Sequence, residues 1–336
     1  MFVELRFRQP ETWIKDIKLK QRIISALIAI PLFLAIILFA PQSVYLAFWH
    51  VCIIACSYEF FKIRGLSKIN SLITAAVVGS IAPVVFYLWE YNVFPKNIKA
   101  TLFEFTLFIS FIVPIIWLVI IPILFKNYAK DNQFKSDNFI IFTIWFFIIS
   151  FFYIFTTLFD IEKGNFTFSR YNLLSMLVII WANDAGAYFV GKAIGKHKFS
   201  PNISPNKTWE GFFGGIVIAV ITAAILKFTF SNNLELGSID GVFAALLGSL
   251  FIAIFATIGD LFQSMLKRMA GVKDSGNIMP GHGGVFDRID SWLAVGSLSS
   301  AVFLMLSLLA LSAIKYDDDY PASLKPSIER NIAYYQ

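Results

Sequence analysis

The residues best suited to chemistry lie in one stretch, 259–290, which is rich in acidic and basic side chains although only 15% of the chain is charged. Its first half predicts a helix with one polar face, because four polar residues recur at i, i+4, i+7 and i+8. These residues are Asp260, Ser264, Lys267 and Arg268. Glycines and a proline then end the helix, and glycine lets backbone approach a ligand closely. Beyond this loop, Asp287 and Asp290 are three residues apart, a spacing that brings both to one side of a helix start.

This mixture of charges is typical of metal-assisted phosphate chemistry. Carboxylates supply the oxygen ligands that Mg²⁺ prefers, while Lys and Arg neutralise phosphate oxygens. Asp260 and Asp287, each expected at a helix start, are the candidate metal ligands. The competing interpretation is an ordinary charged loop between two membrane helices, but such a loop rarely needs five glycines, a proline and a histidine together.

A second polar stretch, 181–215, precedes the first. Asp184 lies within an apolar run, where an ionisable side chain is costly to bury, so it is predicted to act in catalysis or substrate binding, with a structural ion pair as the alternative. Farther along, Ser204 or Thr208 is suited to cap the next helix, whose N-terminal amides favour an anion. Lys207 would add positive charge there. The alternative is a plain helix start with lysines on the cytoplasmic side.

The composition excludes a water-soluble globule, because 57% of the residues are hydrophobic and 17% aromatic, with a mean hydropathy of +0.70. An all-α integral membrane protein is expected. Apolar runs long enough to cross about 30 Å of hydrocarbon predict about nine transmembrane helices. They cover approximately residues 23–40, 44–61, 71–90, 101–125, 139–159, 173–190, 211–230, 239–258 and 291–314. Pro114 and Pro122 predict a kink in the fourth.

The distribution of Lys and Arg predicts the orientation. Most of the 28 basic residues fall in the segments that share one side if the N-terminus is cytoplasmic and the C-terminus is outside. Loops 191–210 and 259–290 are then both cytoplasmic. The predicted organisation is a basic segment (1–22), an N-terminal transmembrane region (23–159), a C-terminal catalytic region (160–314) and a flexible tail (315–336). The basic segment is expected to be a helix on the membrane surface or a disordered tail.

The net charge of +6 favours contact with anionic lipid over nucleic acid, because the chain lacks a basic solvent-exposed domain. Cys52 and Cys56 lie four residues apart within one apolar run and are expected to be packed thiols rather than a disulfide or metal site.

Three runs within the first stretch carry a family resemblance: Ser264-Met-Leu-Lys-Arg268, Lys273-Asp-Ser-Gly276 and Pro280-Gly-His-Gly-Gly-Val-Phe-Asp-Arg-Ile-Asp290. Together they resemble the signature of the CDP-diacylglycerol synthases (phosphatidate cytidylyltransferases). The run from Ser204 to Gly211 resembles the upstream motif of the same family. The chain departs from the family pattern at Met279, at Asn206, where a second Lys is often found, and at Gln263, where an acidic residue is common.

The resemblance implies an enzyme of phospholipid biosynthesis in the bacterial inner membrane that converts CTP and phosphatidate into CDP-diacylglycerol and pyrophosphate. We expect Mg²⁺ as cofactor, held by Asp260 and Asp287. The expected catalytic residues are Asp260, Asp287, Lys267 and Arg288. The expected substrate-binding residues are Asp184, Lys207, Ser264, Arg268, Lys273, His282 and Asp290. His282 has two interpretations, a donor to phosphate or a residue that only shapes the loop.

Two other functions stay open at this point. A CTP-dependent lipid kinase of the polyprenol or dolichol type would release CDP instead of pyrophosphate. A transporter of an anionic solute would use broken helices around Asp184. A homodimer and a second divalent or monovalent cation are also compatible with the sequence.

Overall fold

The computed structural model describes residues 25, 27–91, 93–131, 137–158, 170–229, 239–279 and 283–316. Eight helices in these ranges are long and apolar enough to cross a membrane, which confirms an all-α multi-pass membrane protein. The first predicted span corresponds to a shorter apolar helix, α1 (Leu27–Phe39). The basic segment 1–22, the chain beyond 316 and His282 lie outside the described residues.

The helices follow the predicted spans closely. Their bounds are α2 (Gln42–Ile63), α3 (Lys68–Glu90), α4 (Lys96–Ser110), α5 (Ile112–Ile115), α6 (Ile121–Lys130), α7 (Asn138–Leu158), α8 (Arg170–Ile194), α9 (Trp209–Thr229), α10 (Ile239–Met269) and α11 (Phe286–Tyr316). Both α10 and α11 extend well past their predicted apolar runs toward the polar stretch between them, so the polar stretch is partly helical.

The fourth predicted span is an interrupted helix. It breaks at Phe111 between α4 and α5, and a π-helical turn, Ile116–Ile120, joins α5 to α6. Pro114 and Pro122 flank this turn, and each lacks the N–H that a regular helical hydrogen bond needs. The irregularity therefore lies where the two prolines predict it.

Helices α8 and α9 pack at very short range because glycines face across their contact. A Cβ built at Gly214 would lie 2.5 Å from Val190 Cβ, and one at Gly211 would lie 3.1 Å from Gly191 Cα. Small residues let membrane helices approach closely where lipid offers no hydrophobic drive for association. This contact fixes the start of α9 against the end of α8, which carries Asp184.

An aromatic core joins the two predicted transmembrane regions. Trp145 of α7 stacks on Phe60 of α2 at 4.2 Å and meets Phe286 of α11 edge-on at 5.0 Å. All three side chains are almost fully buried. The N-terminal and C-terminal regions therefore pack against one another, with the start of α11 held by aromatic side chains of α2 and α7.

The loops predicted to be cytoplasmic lie at one end of the bundle. Arg64 donates hydrogen bonds to Asn138 Oδ1, Asn202 donates to Ala129 O, and Arg268 donates to Ile203 O. These bonds connect the loops after α2, α6, α8 and α10. The direction of that end relative to the membrane stays a prediction from the basic residues.

A β-hairpin stands between α8 and α9, in a segment expected to be a loop. Strand β1 (Lys198–Ser200) pairs antiparallel with β2 (Ser204–Thr208). Thr208 Oγ1 accepts a hydrogen bond from Gly211 N at 3.1 Å, which confirms Thr208 rather than Ser204 as the cap of α9. Glu210 accepts hydrogen bonds from the backbone of Lys196 and His197 and thereby holds the turn before β1.

Candidate active site

The two polar stretches meet through an ion pair. Lys207 Nζ, at the end of the hairpin, lies 2.7 Å from Asp260 Oδ2 in α10. Ser264, one turn later on α10, donates to Asp260 Oδ1 at 3.3 Å. The structure thus confirms the predicted polar face of α10. Lys207 of the hairpin neutralises the charge of Asp260 on that face. Both members of the pair keep access to solvent, with side chains 26% and 36% exposed.

Asp260 does not lie at a helix start, so that expectation was wrong. It lies within α10, which continues to Met269. Gly259 serves close packing instead of breaking the helix, because a Cβ there would lie 2.7 Å from Asp290 O and from Ala294 Cβ. The glycine brings the backbones of α10 and α11 together, and this contact places the acidic residues of both helices side by side.

Asp287 stands in the first turn of α11, and five donor atoms lie within hydrogen-bond distance of its carboxylate. One of them, Ser275 Oγ, shares its single proton between Asp287 and Glu59. Its Oδ1 lies 2.7 Å from Lys267 Nζ and 2.9 Å from Gln263 Nε2. Its Oδ2 accepts from Ser275 N at 2.8 Å, from Ser275 Oγ at 2.9 Å and from Gly284 N at 3.0 Å. Because both oxygens are occupied, Asp287 holds the loop and Lys267, and a metal ion would have to displace some of these donors.

Two further carboxylates lie near Asp260. Asp184 and Asp290 each interact electrostatically with Asp260, and Asp184 also interacts with Lys207. Asn183 Nδ2 contacts Asp184 Oδ1 at 3.4 Å, and Ser291 N donates to Asp290 Oδ1 at 2.7 Å. The structure thus brings Asp184, predicted from its place in an apolar run, to the same site as the acids of the downstream stretch.

The carboxylates do not form a complete metal cage. Among the described residues, no three His, Cys, Asp or Glu side chains converge to hold a metal ion by themselves. Mg²⁺ is usually held by one or two carboxylates together with substrate phosphates and water, so this arrangement fits a metal that arrives with a nucleotide.

The predicted cations have different surroundings. Lys207 and Lys267 are paired with carboxylates, and Lys267 also acts electrostatically on Asp260. The Arg268 guanidinium donates to the carbonyl oxygens of Ile203 and Val272 at 3.4 Å, which ties α10 to the hairpin. Lys273 and Arg288 are exposed at the rim of the same end. Lys207 and Lys267 are therefore the two predicted cations that the structure places against the carboxylates of the site.

Gln263 belongs to the site, although the sequence analysis assigned it no role there. Its position was noted as a departure that weakens the case for a third carboxylate, but the side chain is 1% exposed and donates to Asp287 Oδ1. An amide can donate to a carboxylate, whereas an ionised acid at this position could not. The signal in the sequence was a polar residue three positions after Asp260, a spacing that brings the two side chains to the same side of a helix.

Glu59 and Ser275 were also missed. Glu59, in α2, is 1% exposed and accepts hydrogen bonds from Ser275, Val285 and Phe286. Glu59 is close in sequence to Lys62 and Arg64, but the structure turns it inward to the loop before α11. The signal was its position in an apolar run, where an acidic residue is a functional candidate by default.

The chain is similar to the members of one protein family. A model of the cytidylyltransferase family matches residues 20–306. A phosphatidate cytidylyltransferase of Haemophilus influenzae is 34% identical over 288 residues, covering 82% of this chain and 95% of the relative. That of Bacillus subtilis is 34% identical over 279 residues, covering 83% and 95%. That of Staphylococcus haemolyticus is 30% identical over 294 residues, covering 86% and 100%.

Proposed function

The chain belongs to the cytidylyltransferase family, and on that basis we propose that it transfers the cytidylyl group of CTP to phosphatidate. The products are CDP-diacylglycerol and pyrophosphate, so the enzyme is a nucleotidyltransferase of phospholipid biosynthesis. Its multi-pass fold and its bacterial relatives agree with a location in the bacterial inner membrane.

The Lys207–Asp260 ion pair is the observation that carries this proposal. It joins a helix-capping hairpin, suited to anions, to an acidic helix face suited to cations, at the same end of the bundle. Both substrates are polyanions, so their approach requires positive charge from the protein or a metal. Lys207 and Lys267 already neutralise carboxylates in this site. When a substrate binds, its phosphate can replace a carboxylate as the partner of a lysine.

The chemistry is an in-line displacement at the α-phosphorus of CTP. A phosphate oxygen of phosphatidate forms the new P–O bond, and the bond between the α-phosphorus and the bridging oxygen breaks, so pyrophosphate leaves with its electron pair. A phosphate monoester already offers an ionised nucleophile, so no protein base is required. Lys207 and Lys267 would hold phosphate oxygens and reduce the repulsion between the two substrates.

Mg²⁺ would be held by Asp260 and Asp287. Asp260 fits this role directly, because its side chain is 36% exposed and its ion pair can open. Asp287 would have to exchange one of its donors, and transfer of Lys267 from Asp287 to a phosphate would open a position for the metal. When bound, the metal supplies neutralising charge for phosphate oxygens and the leaving group.

The active site is expected to face the cytoplasm, where CTP is found. The support comes from the sequence, because the distribution of Lys and Arg predicts that loops 191–210 and 259–290 are cytoplasmic. A single-cysteine label at Asn202, which is exposed in the hairpin turn, should react with an impermeant reagent only in inside-out vesicles. Labelling in right-side-out vesicles would reverse the orientation.

Purified protein in detergent tests the reaction. Incubation with CTP, phosphatidate and Mg²⁺ should release pyrophosphate and form CDP-diacylglycerol in equal amounts, and omission of phosphatidate should stop both. Release of CDP with a phosphorylated lipid would identify a kinase instead. Absence of any lipid product with every substrate present would contradict the proposed function.

A further inference from the structure

Glu59 is a buried carboxylate, more than two hundred positions from the downstream motif. It lies against the glycine loop, a name used here for the described residues 270–279 and 283–285 between α10 and α11. Its Oε2 accepts from Ser275 Oγ and Phe286 N, each at 2.9 Å, and its Oε1 accepts from Val285 N at 3.2 Å. Burying an ionised group is costly unless donors replace water. The described parts of the glycine loop, 270–279 and 283–285, supply two of these donors, and the first residue of α11 supplies the third.

Two glycines of the loop are required because of Glu59. The three atoms nearest to a Cβ built at Gly276 are Oε1, Cδ and Cγ of Glu59, with Cδ only 2.7 Å away. A Cβ at Gly284 would collide with Glu59 and with Ser275 Oγ. The loop backbone therefore approaches the carboxylate more closely than any residue with a side chain allows. Gly276 and Gly284 therefore lie where Glu59 of α2 leaves no room for a side chain.

The same loop atoms hold Asp287. Ser275 Oγ lies 2.9 Å from Glu59 Oε2 and 2.9 Å from Asp287 Oδ2, and Ser275 N and Gly284 N also donate to Asp287 Oδ2. Asp287 in turn pairs with Lys267. A continuous hydrogen-bonded chain thus runs from α2 through the loop to a lysine proposed to bind phosphate.

We propose that Glu59 is a positioning residue for cytidylyl transfer: it holds the glycine loop from outside so that Asp287 and Lys267 keep their orientation. This inference rests on the proposed function only for its kinetic consequence. A small displacement of reacting groups is expensive in rate, about 100-fold for 1 Å. Loss of Glu59 should therefore lower kcat far more than it changes the KM for CTP or phosphatidate.

A pair of variants isolates the contact. Gly276→Ala should lower kcat about 100-fold, because its Cβ displaces Glu59 or the loop. Glu59→Ala should lower kcat about 10- to 100-fold, and it also removes the three atoms that lie nearest to the Cβ at position 276. In the Glu59→Ala background, Gly276→Ala should therefore cause no further loss. Gly248→Ala in α10, where a Cβ meets nothing within 4 Å, is the matched control and should leave kcat unchanged.

A second measurement does not depend on activity. Hydrogen exchange is measured on the full-length protein in detergent, without metal or substrate. Peptides that cover residues 270–279, residues 283–285 and the start of α11 should exchange faster in Glu59→Gln than in the wild type. Exchange in α7 and in the rest of α11 should stay unchanged. The conservative Glu104→Gln variant, at an exposed carboxylate of α4, should match the wild type in both exchange and kcat.

Three results would overturn the inference. They are additive losses from Gly276→Ala and Glu59→Ala, exchange that rises across all helices of Glu59→Gln or fails to rise in the loop, and faster loop exchange with unchanged kcat. A variant that does not fold counts as the second result. If the wild type transfers no cytidylyl group, the proposed function fails, while the exchange comparison still decides whether Glu59 orders the loop.

Discussion

Lys207 and Lys267 provide a direct comparison of two ion pairs with the same length and different burial. Each Nζ lies 2.7 Å from a carboxylate oxygen, but the Lys267–Asp287 side chains are 13% and 10% exposed, whereas those of Lys207–Asp260 are 26% and 36% exposed. Replacement of each lysine by methionine keeps the apolar stem and removes the charge. The two variants therefore separate the cost of burial from the loss of a phosphate-binding group.

The expected magnitudes differ. Removing one partner of a buried pair costs about 3–5 kcal/mol, because the other charge is left without compensation. Asp287 keeps four donors from Gln263, Ser275 and Gly284, so we expect Lys267→Met to cost about 2–3 kcal/mol. Lys207→Met removes a pair that is open to solvent and should cost about 0–1 kcal/mol.

Thermal unfolding in detergent measures this difference. At about 2 °C per kcal/mol for a chain of this size, Lys267→Met should lower Tm by about 4–6 °C and Lys207→Met by no more than about 2 °C. Both variants should nevertheless lose most of their cytidylyltransferase activity. Equal Tm shifts would contradict the difference in burial between the two ion pairs, and full activity in either variant would show that its lysine does not bind phosphate.

Three other substitutions test the site. Asp260→Asn should abolish turnover while the protein elutes as a folded species in size-exclusion chromatography, and an active variant would remove Asp260 from the metal site. Gln263→Glu replaces a donor to Asp287 by a like charge and should destabilise the protein by about 2 kcal/mol or more in thermal unfolding, so an unchanged Tm would contradict the hydrogen bond. Gly259→Ala forces α10 away from Asp290 and Ala294 and should cost about 1–3 kcal/mol with reduced activity, whereas normal stability and rate would show that the contact is not tight.

The sequence was informative about the parts of the site that are local. Helical spacing predicted the polar face that carries Asp260, Ser264 and Lys267, because a helix fixes which side chains share a face. Thr208 was one of two caps that the sequence allowed, together with Ser204, and the donor that Thr208 satisfies is only three residues away. Hydropathy predicted the spans, because each backbone polar group in lipid has to be bonded within the helix.

Pairing across the fold could not be predicted. Asp260 meets Lys207 of the hairpin, and Glu59 meets Ser275 of the glycine loop, and no local rule selects these partners. The hairpin was missed because a five-residue strand with the sequence Ser-Pro-Asn-Lys-Thr lacks the apolar alternation of a typical strand. Asp260 was placed at a helix start, but α10 continues through it to Met269, and Gly259 serves contact between helices.

Transfer of the cytidylyl group is tested most directly by labelling the phosphorus atoms of CTP. Purified wild-type protein is incubated with phosphatidate, Mg²⁺ and CTP labelled with ³²P at either the α or the γ position, and the lipid fraction is counted. We expect that label from the α position enters the lipid, that label from the γ position is found in pyrophosphate, and that Asp260→Asn yields neither product. Label from the γ position in the lipid, or a labelled lipid formed by Asp260→Asn, would contradict this expectation.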